Sequence, residues 1–214
     1  MRANLPLPIL YSFRRCPYAM RARLAVMASG AQVELREILL RAKAPEFLAS
    51  SPKGTVPVLV TQTEVIEESF DVMRWAMAQN DPERWLHMPE VGYDWISRCD
   101  GPFKLALDHT KYAVRFPDLD PEQERVHASE FLQDLDNEIA GSNWIFGAKC
   151  TLADMALLPF IRQFANIDRD WFDQQPWPNL QRWLAQFLGS TRFANIMLKY
   201  DKWSAGDAAI IFPN

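Results

Sequence analysis

The strand signal in this chain stops near residue 91, and no strand pattern returns after it. Ahead of that point, short apolar or alternating runs (8–13, 32–38, 55–60, 64–66) are interleaved with helical spacing at 18–29, 44–50 and 69–79. The implied order is β-α-β-α-β-β-α. Beyond it only helical segments follow, at 92–116, 121–140, 152–167, 178–188 and 191–199, punctuated by Pro117, Gly141, Pro176, Pro178 and Gly189. Gly101-Pro102 is expected to break or kink the first of these. An α/β unit over 1–82, a linker opened by Asn80-Asp81-Pro82, and an all-α unit over 90–214 are the consequence. With 214 residues, 49% of them hydrophobic, the chain can bury two such cores.

Charge and cysteine usage exclude several function classes. A net charge of -4 argues against a sequence-independent nucleic-acid binder, which needs a basic surface. Cys16, Cys99 and Cys150 are widely spaced and odd in number, so neither a disulfide framework nor a zinc spacing emerges, and a reducing compartment is expected. His87, His109 and His127 are read as isolated from one another and from carboxylates, so no metal is expected. The opening residues, with Arg2 and the Pro-broken run from Leu5, lack a leader pattern, and no apolar run reaches membrane-spanning length. A cytoplasmic protein is the expectation.

Cys16 is the chemical focus. It stands between the first strand and a helix that opens at Pro17, a residue suited to the first helical turn because it has no N–H to leave unbonded. A sulfur there faces free backbone N–H groups and the positive end of the helix dipole, which favours thiolate over thiol. Arg14 and Arg15 are placed to add to that effect. Ala19 stands where a Cys-x-x-Cys motif would have its second thiol, so redox chemistry here requires a thiol from another molecule.

Other positions carry a structural and a functional reading side by side. Pro57 is either a strand-start proline or the second residue of a cis Val56-Pro57 bond; in the second case the Val56 backbone can pair with an extended peptide. Ser69 is an N-cap candidate, and with Glu68 it also offers a carboxylate site beside an ammonium site, as an α-amino acid requires. Thr151-Leu-Ala-Asp154 reads as a capping box, with Cys150 and Met155 as its staple; Cys150 and Cys99 are expected to be core. Tyr112 and Arg115 either line a second-substrate pocket or form a packing face.

Cys16-Pro17, Val56-Pro57, Glu68-Ser69 and Thr151-x-x-Asp154, in that order and over essentially the whole length, resemble the cytosolic glutathione S-transferase superfamily. Tyr11-Ser-x-Arg14-x-Cys16-Pro-Tyr-Ala19-x-Arg21-x-Arg23 is especially similar to its omega class and to dehydroascorbate-reductase-like bacterial members, although the double Arg14-Arg15 is not general there. The resemblance implies a thioredoxin-like domain followed by a helical substrate domain, glutathione as co-substrate, no metal, and a homodimer. It makes Cys16 the residue that forms a mixed disulfide with glutathione, pairs Val56 with the cysteinyl backbone beside a cis Pro57, puts Glu68 and Ser69 on the γ-glutamyl end, and brings Lys43 to the glycyl carboxylate. The implied activity is that of a glutathione-dependent thiol transferase or reductase. Two other readings stay open: a conjugating transferase in which the Tyr11 or Ser12 hydroxyl activates glutathione, and a non-catalytic scaffold on the same fold.

Overall fold

The computed structural model describes residues 6–213; the opening residues read for a leader, Leu5 included, lie outside them. Contacts divide the chain into two units. The first holds the chain through Arg84 and again from Thr191 onward, and the second is Trp85–Ser190.

In the first unit β1 (Ile9–Ser12) runs into α1 (Pro17–Ser29) and back through β2 (Val33–Glu37), which pairs parallel with β1. A parallel pair needs such a crossover, and α1 supplies it. Gly30 ends α1 in the left-handed conformation (φ 70°), where a Cβ is disfavoured, and its N–H bonds the Met27 carbonyl. After α2 (Pro45–Ser50), β3 (Val58–Val60) and β4 (Val65–Ile66) add antiparallel to β1, and α3 (Ser69–Gln79) packs on α1. The third strand is shorter than the sequence suggests, because the backbone bends through Gly54–Pro57 and the ladder begins only at Val58.

The five-stranded sheet has the order β4-β3-β1-β2-β5. Its last strand, β5 (Ile211–Phe212), lies in a region read as wholly helical. It pairs antiparallel with β2, opposite Val33 and Glu34. Tyr11, Phe47, Val58 and Trp203 lie in one buried cluster, against which Phe13 and Cys16 pack.

The second unit is helical. After α4 (Val91–Arg98) the helix passes through a π-helical turn at Cys99–Phe103, which holds Gly101 and Pro102, before α5 (Lys104–Lys111). The expected kink is therefore a wide turn that takes in the proline's missing donor. Next come α6 (Pro121–Glu138), α7 (Leu152–Ala165), a short α8 (Arg169–Asp173) that the sequence reading missed, and α9 (Pro178–Leu188). Thr151 and Asp154 form the expected capping box. Asp154 does more than cap: it accepts from the Thr151 N–H and hydroxyl, the Ile145 N–H at 2.9 Å and the Trp183 indole at 3.0 Å. Burial nevertheless pushes its carboxyl above the usual range, against the pull of those donors. The remaining helix, α10 (Thr191–Ile196), belongs with the first unit.

Two expectations are corrected in the second unit. Cys150 is half-buried rather than core, whereas Cys99 is fully buried. The histidines are not isolated from acids: Glu124 holds the His109 Nδ1 at 2.8 Å and lies 3.3 Å from the His127 Nδ1. Successive turns of α6 and the facing end of α5 bring these groups together, which linear spacing does not reveal. Among the described residues, no group of three or more such side chains is arranged to hold a metal, and no helix is long and apolar enough to cross a membrane.

Candidate active site

Cys16 occupies the N-cap position of α1 with extended backbone (φ -77°, ψ 124°), and Pro17 follows at the first helical position. The geometry comes from the preceding turn, in which the Cys16 N–H bonds the Phe13 carbonyl at 2.9 Å. The sulfur is half-buried and points across to the third strand's approach loop, with its Sγ 3.6 Å from the Val56 carbonyl. The Val56-Pro57 bond is cis.

A cleft of ≈ 520 Å³ opens in front of the sulfur. Its wall contains Cys16, Lys43, Val56, Pro57, Glu68 and Ser69, which are separate in sequence and meet here because α1, α3 and the loops on either side of α2 converge. Tyr18, Leu40, Gly54 and Glu67 also line it. Gly54 adopts a positive φ of 64°, and the Lys43 ammonium lies 3.0 Å from where a Cβ would stand. A side chain at residue 54 would strain the turn and displace that lysine.

Ser69 is not the cap of α3. Glu68 occupies the cap position and Ser69 is the first helical residue, with its hydroxyl 3.5 Å from the Arg21 guanidinium. Lys53, which the sequence reading passed over, is bonded to Glu68 at 2.5 Å and also lines the cleft. The hydrogen bond and charge of Glu68 raise the Lys53 pKa above its ordinary value. At this helix start Glu68, read from the sequence as an ammonium site beside Ser69, thus stands in an exposed pair with Lys53. The pair's only linear signal was proximity, since Lys53 directly precedes Gly54.

Several candidate residues lie elsewhere. Tyr11 is buried, and its hydroxyl accepts from Arg36 at 3.0 Å. Ser12 is buried, and its hydroxyl accepts from the Arg23 Nε at 2.8 Å. Neither hydroxyl lines the cleft, so the alternative in which one of them activates a thiol is corrected: both side chains are enclosed within the fold. Arg14 and Arg15 also turn away from it. The Arg14 N–H bonds Glu37 at 2.7 Å and its guanidinium reaches the Met197 carbonyl, while Arg15 packs over the Phe13 ring. Tyr112 and Arg115 belong to the second unit, where the guanidinium stacks on the ring at 4.5 Å.

The model of the glutathione S-transferase N-terminal domain matches residues 10–85, and that of the C-terminal domain matches residues 115–186. Glutathione S-transferase GstB of Escherichia coli strain K12 is 30% identical over 159 residues, which span 66% of this chain and 72% of that protein. The chain belongs to the glutathione S-transferase family. Within the family it is also similar to glutathione S-transferase omega-2 of Mus musculus, 39% identical over 61 residues, or 28% of this chain and 25% of that one. A crystal structure of a glutathione transferase family member from Pseudomonas fluorescens Pf-5, with two glutathione bound, superposes with a TM-score of 0.75 over 92% of this chain and 95% of that chain, at 20% identity. The α/β sheet unit and helical unit are those of the family fold.

Proposed function

We propose that this family member is a glutathione-dependent thiol transferase or reductase of the omega-like, single-cysteine kind. The observation that carries the reading is the position of the Cys16 sulfur, at the N-cap of α1 and on the wall of the cleft. The Val56 carbonyl beside it favours the protonated thiol, as an acceptor. The first-turn N–H groups and dipole of α1 favour the thiolate, and charge-assisted donors are the stronger of the two.

Glutathione fits the cleft by chemistry. Its γ-glutamyl end is a zwitterion, and the Lys53–Glu68 pair with Ser69 at the start of α3 offers one partner for each charge. Val56 is available to the cysteinyl backbone as an added strand would be. Lys43 is available to the glycyl carboxylate.

In the proposed cycle the Cys16 thiolate attacks the glutathione sulfur of a mixed disulfide, and the substrate leaves as its thiol after taking up a proton. A glutathione thiolate then attacks the glutathione sulfur bound to Cys16. The products are glutathione disulfide and the regenerated Cys16 thiolate, so two electrons pass from glutathione to substrate. The reading assigns glutathione to residues 1–82 and the second substrate to residues 90–214, with Tyr112 and Arg115 in its pocket. It places the protein in the cytoplasm as a homodimer. The family names of the relatives and the glutathione in the Pseudomonas structure support the co-substrate.

Intact-mass measurement after incubation with glutathione disulfide tests the proposal. One glutathione adduct is expected on the wild type and none on Cys16→Ser, which is also expected to lose disulfide reductase activity. An unmodified wild type, or a C16S variant that keeps reductase activity, overturns it.

A further inference from the structure

Arg14 and Arg15 face a second cleft of ≈ 200 Å³, together with Lys199 and Lys202 of the tail. No acid is ion-paired with any of these four side chains among the described residues. Glu37 is the acid in the wall, and it is already committed to the Arg23 guanidinium and the Arg14 N–H. Asp201, between the lysines in sequence, is not part of the wall. Four like charges thus share a small concavity on a chain whose net charge is -4. Such a grouping is self-repelling until an anion enters, and a concave wall strengthens its field.

The rest of the wall is apolar or aromatic. Phe13 and Leu39 are half-buried there, and so is Tyr200, whose phenol hydroxyl is a donor at neutral pH. We propose that this cleft binds a small aromatic dianion of the phosphate-monoester type. Its charged head is held by Arg14, Arg15, Lys199 and Lys202, and its ring lies against Phe13 and Leu39. Two guanidinium groups suit a tetrahedral oxyanion because each presents paired donors. The site stands apart from the reading of Cys16, whose cleft shares no wall residue with it.

Calorimetric titration with phenyl phosphate at low salt tests the site, with inorganic phosphate and phenol as the two halves of the probe. Saturable one-to-one binding is expected, weakening as salt is added. Lys199→Ala with Lys202→Ala, and separately Lys202→Glu, are each expected to weaken it about tenfold or more, while thermal unfolding stays that of the wild type. Each half-probe is expected to bind at least about tenfold more weakly than the whole. Absence of saturation overturns the proposal. So does affinity unchanged in the folded lysine variants, or inorganic phosphate matching phenyl phosphate, which would leave only a charged surface.

Discussion

Arg23 and Glu37 show what a charged side chain needs in order to be buried. The Arg23 guanidinium is fully enclosed, and burial pulls its pKa down against the pull of Glu37. It spends its donors on Glu37, the Ser12 hydroxyl and the Ile196 carbonyl at 3.0 Å. Arg23→Ala leaves Glu37 buried without its main counter-charge, so a loss of about 3–5 kcal/mol in unfolding free energy is expected by urea denaturation. The Lys53–Glu68 pair is the opposite case, since both side chains are more than half exposed. Glu68→Gln is therefore expected to change stability by less than about 1 kcal/mol. In the proposed function it raises the glutathione KM about tenfold with little change in kcat, because it removes binding common to the ground and transition states. Steady-state kinetics beside a denaturation curve separate the two effects. Cys16 and Glu68 were legible in the sequence because helix starts announce themselves through proline and small polar residues. Lys53 was not, since its partner lies fifteen positions away across a loop whose path the sequence does not specify.

At the scale of elements, the ends were more legible than the partners. Pro17, Gly30, Pro121 and Pro178 mark boundaries that the fold keeps, because backbone sterics act locally. The capping box at α7 was legible for the same reason. Its further role was not: Asp154 also holds the Ile145 N–H, once the connection before α7 folds back, and the Trp183 indole, once α7 and α9 pack. Asp154→Asn turns a nitrogen donor toward groups that donate, and a loss of about 1–3 kcal/mol is expected. The pH dependence has a definite sign. Burial raises the folded-state pKa of Asp154 above its unfolded value, so the residue's contribution is fully present below about pH 3.9 and declines as pH rises through the folded value. The stability gap between wild type and D154N, from urea curves at several pH values, is therefore expected to narrow as pH rises above about 3.9. At Gly30 a Cβ meets nothing within 4 Å, yet φ is 70°. Gly30→Ala is expected to cost about 1 kcal/mol through backbone conformation alone.

At the scale of the whole chain, the departure from linear order is the return of the tail. Residues after α9 read as the end of a helical region, but they close the sheet of the first unit. Trp203 packs its ring on the Arg36 guanidinium at 4.2 Å and joins the cluster around Tyr11. Beyond it the Leu35 N–H bonds the Ile210 carbonyl at 2.8 Å, and Phe212 is 2% exposed. Two residues carry no periodicity of their own: β4, equally short, was legible beside the strand and turn that precede it, whereas what holds β5 is the edge of β2, a feature of the sheet and not of the tail. A chain ending at Trp203 tests that dependence. It keeps the Arg36 stack but loses β5, which exposes the β2 edge and vacates the Phe212 site. Burial of such a side chain contributes about 1.5–3 kcal/mol, and the lost ladder bonds add to it. The truncated chain is expected to unfold at lower urea and, since an open edge strand recruits other strands, to aggregate in proportion to concentration by light scattering. An unchanged midpoint with no scattering would mean that the sheet is complete at four strands and the tail merely rests on it.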